Sequence, residues 1–226
     1  MDSERAAEEL KIIRQLMERP IRCSTMSGYS GILAGCAALA GLAADSLICA
    51  YYAVGRGGES WQEPITSPRV AMWTNAVVWG CVFLVALAGT LGLTRLREIR
   101  SGMPFWSPVK RKLLRTILPP FVAGAGLTSA IMYRWYISDG PNEWGLIPPV
   151  WMLFYGVACW QVGEFSIREL RYMGAAFIVA GLLTAAFWQA HFPGLAPGEA
   201  PYLTLGATFG GFHIVYGIVV RIRHGG

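Results

Sequence analysis

Long apolar runs separated by short polar segments make up this chain from about residue 28 to its end. Six of these runs are long enough to cross a bilayer as a helix, which takes about 20 residues. We place the spans at 28–54, 70–93, 116–137, 146–163, 172–190 and 201–220. The pattern predicts an all-α fold: a polytopic membrane bundle of six transmembrane helices forming one domain over residues 1–226.

Before the first span, residues 2–19 are periodically rather than continuously apolar. Ala6, Leu10 and Ile13 recur at the spacing of one helix face, and Pro20 ends the pattern. We therefore predict a short amphipathic helix on the cytoplasmic side. Its apolar face must dock on the membrane surface, on the basic segment described next, or on a partner protein.

Basic residues are concentrated between the second and third spans. Residues 94–115 contain seven Lys or Arg and a single acidic residue, Glu98. Such a segment between two apolar spans is retained on the cytoplasmic side of a membrane. This orientation makes both termini cytoplasmic and leaves outside only three of the 19 Lys and Arg, namely Arg56, Arg69 and Arg134.

The composition excludes several classes of protein. Charged residues are 15% of the chain, against about 25% in soluble domains. The formal charge of +5 lies at helix ends, so topology explains it and we expect no nucleic-acid partner. The five cysteines form no CxxC pair, and no metal site is expected. No phosphate-binding loop, catalytic triad or catalytic carboxylate pair is present in the sequence, so we do not expect an enzyme.

Polar side chains inside the spans are the candidate functional residues, because each costs free energy in lipid unless it is paired. Topology sorts them into two groups. The outer group is Asp45, Asn75, Arg134 and Gln189, and the inner group is Thr90, Gln161, Glu164 and His213. We expect Asp45 and Arg134 to pair in the outer half. Glu164 either pairs with Arg168 one turn later or belongs to a polar path with Asp45.

His213 is the most informative single residue, since a neutral histidine can bind the metal of a haem or a pigment. Haem bound by two histidines of this chain is not expected, because His191 lies at the opposite membrane face and His224 in the tail. At about 12 Å from the boundary at Arg221, the ring must find a partner inside the bundle. Candidate partners are Ser27, Ser30, Thr90 and Gln161. We expect no cofactor, and only lipids bound at the surface.

Small residues recur at four-residue spacing in the first and last spans. Gly31 and Gly35 lie in the first span, and Gly206 and Gly210 in the sixth. Such stripes allow two helix backbones to approach closely in a membrane. We therefore predict that the first and sixth spans pack against each other.

Two terminal stretches carry a resemblance. LKIIRQLMERPIRCSTMSGYSGILAG at the start and FGGFHIVYGIVVRIRHGG at the end resemble an uncharacterised family of bacterial six-helix integral membrane proteins. LFYGV near Phe154 and the turn SIREL also fit the family, whereas Pro20-Ile21-Arg22 departs from it. The resemblance implies a bacterial cytoplasmic membrane and carries no assigned activity. Genes of this family often stand beside genes of winged-helix regulators, so the resemblance implies a sensing or stress-linked role.

These observations leave three hypotheses of function. In the first, the protein is non-catalytic and acts through contacts, as a sensor or regulator or as a subunit of a larger membrane complex. Its protein partner would then contact the amphipathic helix or residues 94–115. In the second, it is a small transporter or channel whose polar path includes Asp45 and Glu164. In the third, it is a haem- or pigment-binding electron-transfer subunit that uses His213.

Overall fold

The computed structural model describes residues 28–54, 68–100, 108–137, 143–189 and 199–224. Their six α-helices are α1 (Gly28–Val54), α2 (Pro68–Arg100), α3 (Pro108–Ile137), α4 (Ile147–Gly163), α5 (Arg168–Phe187) and α6 (Glu199–His224), and a 3-10 turn (Trp144–Leu146) precedes α4. No strand occurs among the described residues. The amphipathic helix predicted at 2–19 lies outside them and stays a prediction.

All six helices are long and apolar enough to cross a membrane. The shortest candidate spans have 20 residues, which corresponds to roughly 30 Å at 1.5 Å per residue, the thickness of a bilayer's hydrocarbon core. The fold class predicted from the sequence, an all-α bundle of six spanning helices, is confirmed.

The basic segment 94–115 is more helical than expected. The spans placed at 70–93 and 116–137 leave the whole segment between them as a loop, but α2 continues to Arg100 and α3 begins at Pro108, so only 101–107 of this segment lie outside the described helices. The physical reason is that an apolar run marks only the lipid-covered part of a helix. The backbone of Leu, Arg, Lys and Glu, which all favour helix, continues the same hydrogen-bonding pattern into water.

The early start of α3 also moves a proline pair. A third span starting at residue 116 would have Pro119 and Pro120 in its first turn, but they lie inside α3, about three turns after Pro108. Each lacks an N–H and removes one backbone hydrogen bond. Neighbouring helices make such interruptions tolerable in membrane helices. The other pair, Pro148 and Pro149, does lie in the first turn of α4, where the missing N–H groups have no intrahelical partner to lose.

The bundle has a closely packed part and a peripheral part. α1 packs against α6 and α2, α4 packs against α5 and α3, and α6 also contacts α4 and α5. The core around α4, α5 and α6 includes Met152, Leu170 and Phe177, which are almost fully buried. By contrast, no residue of α2 between 73 and 97 is buried. α2 is therefore attached to the bundle mainly along its side facing α1.

Glycines bring α1 and α6 together, as predicted. A methyl group at Gly31 would lie 3.1 Å from the carbonyl oxygen of His213, and one at Gly35 only 2.7 Å from that of Gly210. A methyl group at Gly206 would likewise lie 2.6 Å from the Leu42 side chain on α1. The prediction that the first and sixth spans pack closely is confirmed.

A second glycine contact joins α4 to α5. A methyl group at Gly156 would lie 2.9 Å from the carbonyl oxygen of Gly174, and one at Gly174 would lie 2.7 Å from that of Gly156. The two backbones therefore touch without intervening side chains. Sequence spacing alone did not identify this pair.

Candidate functional site

The side chain of His213 meets that of Tyr155 in the interior of the bundle. His213 is buried on α6, and its Nε2 lies 2.6 Å from the Tyr155 hydroxyl on α4. Its Nδ1 lies 2.8 Å from the carbonyl oxygen of Phe209, one turn earlier on the same helix. Both ring nitrogens are therefore hydrogen-bonded.

These contacts assign the proton positions. A carbonyl oxygen can only accept, so His213 Nδ1–H donates to Phe209. In a neutral imidazole the other nitrogen is then an acceptor, and the Tyr155 hydroxyl must donate to Nε2. The bond between α4 and α6 thus has a fixed direction. It orients both rings.

Aromatic rings enclose this Tyr155–His213 pair. The Tyr155 ring centroid lies 4.9 Å from that of Phe177 and 5.0 Å from that of Phe209. The His213 ring stacks on Phe209 with an interplanar angle of 18°. The Phe121 ring on α3 also packs against Tyr155, with 6.4 Å between the two ring centroids. Packing of this kind excludes water and strengthens the hydrogen bond electrostatically.

Two further polar groups lie near the pair. Cys159 follows Tyr155 by one turn on α4, and Tyr216 follows His213 by one turn on α6; both are buried. The Cys159 thiol neighbours the Tyr155 hydroxyl, and Tyr216 lies within electrostatic range of both. Among the described residues, no group of three or more His, Cys, Asp or Glu side chains is arranged to hold a metal ion.

The partner of His213 differs from the candidates drawn from the sequence. Ser30, Thr90 and Gln161 do not make this bond, and Ser27 lies outside the described residues. A depth argument could have found Tyr155: it precedes the end of α4 at Gly163 by eight residues, as His213 precedes Arg221. Both therefore lie about 12 Å from the same membrane face.

The outer polar residues are not brought together into one site. Arg134 pairs with Glu143 at 3.2 Å, a different carboxylate from the predicted Asp45. Asp45 is buried on α1, within electrostatic range of Tyr202 on α6. Asn75 lies half-buried on α2, and Gln189 is exposed just after α5.

The inner residues Gln161 and Glu164 also lie apart from His213. Gln161 is exposed on α4, and Glu164 is exposed in the turn that follows. Glu164 pairs with Arg171 at 3.3 Å, so the predicted partner one turn later, Arg168, is wrong. The turn after α4 reverses the chain, which brings Arg171 rather than Arg168 towards the carboxylate.

Ion pairs that the sequence did not reveal join helix ends on the side of the bundle that carries residues 94–115. Glu98 on α2 is buried and lies 2.6 Å from Lys110 on α3. Glu169 on α5 lies 3.2 Å from Arg223 on α6. With the Glu164–Arg171 pair, each carboxylate connects two helices that follow each other in the chain.

Comparison with known proteins adds no homologue to this picture. No protein-family model, curated protein or solved structure matches the chain. The proposals below therefore rest on the residues and their geometry.

Proposed function

We propose that this protein is a non-catalytic integral membrane protein that acts through contacts, as a sensor or regulator or as a subunit of a larger membrane complex. The observation that carries the proposal is the position of α2. None of its residues from 73 to 97 is buried, whereas half of the span containing α4 is buried. A spanning helix held at the edge of a bundle is well placed to contact another membrane protein.

The glycines of α2 support this proposal. A methyl group at Gly80 or at Gly92 would meet no atom within 4 Å. Elsewhere in this bundle, between α1 and α6 and between α4 and α5, glycines lie where two backbones touch. Small residues favour helix association in membranes, and Gly80 and Gly92 are available to a helix of another chain.

The alternative functions receive less support. In a transporter, Asp45 and Glu164 would line a common path, but Glu164 is exposed in the turn after α4 and is paired with Arg171. In a haem-binding subunit, a nitrogen of His213 would ligate iron. Both nitrogens are already bonded, to Tyr155 and Phe209, so ligation would require the interior to rearrange.

Photocrosslinking in native membranes tests the proposal. A photoreactive residue at Leu84, one turn after Gly80, should give a discrete protein adduct. The same residue at Leu182 on α5, a helix whose glycines are both packed against α4, should give lipid adducts only; Leu84 is 61% and Leu182 56% exposed. Gly80→Leu should abolish the protein adduct without changing the thermal stability of the purified protein, because Gly80 has open space around it. Lipid adducts alone at both positions would refute a contact through α2.

We also propose a bacterial cytoplasmic membrane, with both termini cytoplasmic, from the distribution of basic residues and the family resemblance. In a cysteine-free background, Ser60→Cys and Ser138→Cys should react with a membrane-impermeant thiol reagent in intact cells. Ser101→Cys and Ser107→Cys should react only after lysis. Labelling of Ser101→Cys in intact cells would show that the topology is the reverse of the one proposed.

A further inference from the structure

A basic surface lies where α2 ends and α3 begins. We define it as the basic platform, formed by Arg95, Arg97, Arg100, Lys110, Arg111, Lys112 and Arg115. The platform contains one carboxylate, Glu98, which is buried and lies 2.6 Å from Lys110. Lys112 is held with its Nζ 4.5 Å from the centre of the Phe165 ring, in the turn before α5. The two helix ends are thus fixed relative to each other, and their net charge is strongly positive.

The other described carboxylates on this side of the bundle have partners of their own. Glu164 pairs with Arg171, and Glu169 pairs with Arg223. Neither belongs to the platform. Among the described residues, Arg100, Arg111 and Arg115 are exposed and have no carboxylate at ion-pair distance. An acidic group able to complement them must come from elsewhere.

The packing of α1 on α2 shows where α1 begins relative to the basic platform. Gly41 faces Val82, and Leu33 faces Gly89, so the two helices run antiparallel. The same register places Gly28, the first residue of α1, level with Thr94 of α2. The first residue of α1, to which residues 1–27 are joined, therefore lies beside the last turns of α2, at the edge of the basic platform.

One platform residue lies on the face of α2 that packs against α1, near the start of α1. Arg100 follows Gly89 by 11 residues, which is close to three full turns at 3.6 residues per turn. Arg100 consequently lies on the same face of α2 as Gly89, the face that packs on α1. It is exposed, about 9 Å further along the helix axis than the level of Gly28.

The sequence before α1 supplies a matching charge. Residues 2–9 contain four acidic side chains, Asp2, Glu4, Glu8 and Glu9, and one basic side chain, Arg5. The 18 residues from 10 to 27 connect this acidic segment to α1. Even as a continuous helix they reach about 27 Å, so the acidic segment can reach every part of the platform.

We propose that the acidic segment 2–9 binds the basic platform of the same chain. Individual exposed ion pairs are weak, but tethering raises the effective concentration of the segment to about the millimolar range, so weak pairs suffice. Because salt screens exposed charges, the fraction of molecules in which the segment covers the platform should fall as the ionic strength rises. This inference concerns a different surface from the contact face of α2 and does not depend on the proposed function.

Distance measurements between spin labels test this inference on the full chain. Labels at Ala6→Cys and Ile99→Cys, in a cysteine-free background and in nanodiscs of zwitterionic lipid, should show a narrow short-distance population. Arg100→Glu should reduce that population at least twofold, and adding Glu8→Arg should restore it. Arg168→Glu is the matched control: it reverses an exposed arginine outside the platform and should leave the distances unchanged.

Three results would overturn the inference. The first is a broad distance distribution in the parent protein. The second is an equal loss in Arg100→Glu and Arg168→Glu, which would indicate a response to total charge alone. The third is a label at residue 6 that is accessible to lipid-dissolved oxygen and insensitive to Arg100→Glu. That result would assign the segment to the bilayer surface instead.

Discussion

Removing the Tyr155 hydroxyl should destabilise the protein by about 1–2 kcal/mol. Tyr155→Phe keeps the ring in its aromatic surroundings and deletes only the group that donates to His213 Nε2, 2.6 Å away. His213 is 7% exposed, so its acceptor nitrogen would find no water to replace the lost donor. A buried polar group left without a partner costs about 1–3 kcal/mol. Measured interhelical hydrogen bonds in membranes average about 0.6 and reach about 1.7 kcal/mol, which favours the lower half of that range.

The reciprocal change gives the second arm of a double-mutant cycle. His213→Leu leaves the Tyr155 hydroxyl as a buried donor without its acceptor and also removes the bond to the Phe209 carbonyl. With both changes together no unpaired group remains at this contact, so the double variant should be more stable than additivity predicts by about 1 kcal/mol. His213→Gln can still accept from Tyr155 and should keep most of the stability that His213→Leu loses.

Reversible unfolding in mixed micelles, followed by circular dichroism, measures these four free energies of unfolding. Losses that add within about 0.3–0.5 kcal/mol would mean that the two side chains are not coupled, and the tautomer assignment would lose its support. A His213→Leu protein as stable as its parent, but lacking a bound cofactor or partner, would also refute a packing role. His213 would then be a functional ligand.

Two further predictions concern packing and charge. Gly35→Leu should destabilise the bundle by at least about 1–3 kcal/mol through overpacking, whereas Gly80→Leu should leave the melting temperature in detergent unchanged, since only Gly35 faces another backbone. Lys110→Met should remove the close partner of the buried Glu98 carboxylate and leave it Arg95 at 3.9 Å, so the free energy of unfolding should fall by up to about 3–5 kcal/mol, seen as a lower melting temperature. Arg111→Met, an exposed control, should change the melting temperature little.

The parts of the fold that the sequence predicted follow from periodicity along one helix. Apolar runs of sufficient length identify spans because a segment in lipid must satisfy its backbone hydrogen bonds internally, and a helix does so. The contact between α1 and α6 was predictable because Gly31 and Gly35 share a helix face, as do Gly206 and Gly210. In each case the information lies within a single segment of the chain.

The parts that the sequence did not predict depend on which helices are neighbours. The membrane depth of His213 limited its possible partners to several side chains at the same level. Nothing in the sequence indicates that α4 lies beside α6, so Tyr155 was overlooked. The same holds for Arg134, whose expected partner was Asp45 and whose observed partner, Glu143, lies on the segment that follows it. Membrane depth constrains one coordinate, and partner identity also requires the arrangement around the bundle axis.

The Tyr155–His213 bond lies where the two glycine contacts meet, and this position suggests what it contributes. The carbonyl oxygen of His213 is close to Gly31, so that glycine lets α1 approach α6 from one side while the imidazole points to α4 on the other. Gly156, the residue after Tyr155, likewise lets α5 approach α4. In lipid no hydrophobic effect drives these helix pairs together, because acyl chains are as apolar as their side chains. A buried bond with one donor and one acceptor does depend on their relative position, because sliding α4 along α6 by one turn would leave both groups unpaired. We therefore infer that this bond sets the register in which the α1–α6 and α4–α5 pairs join.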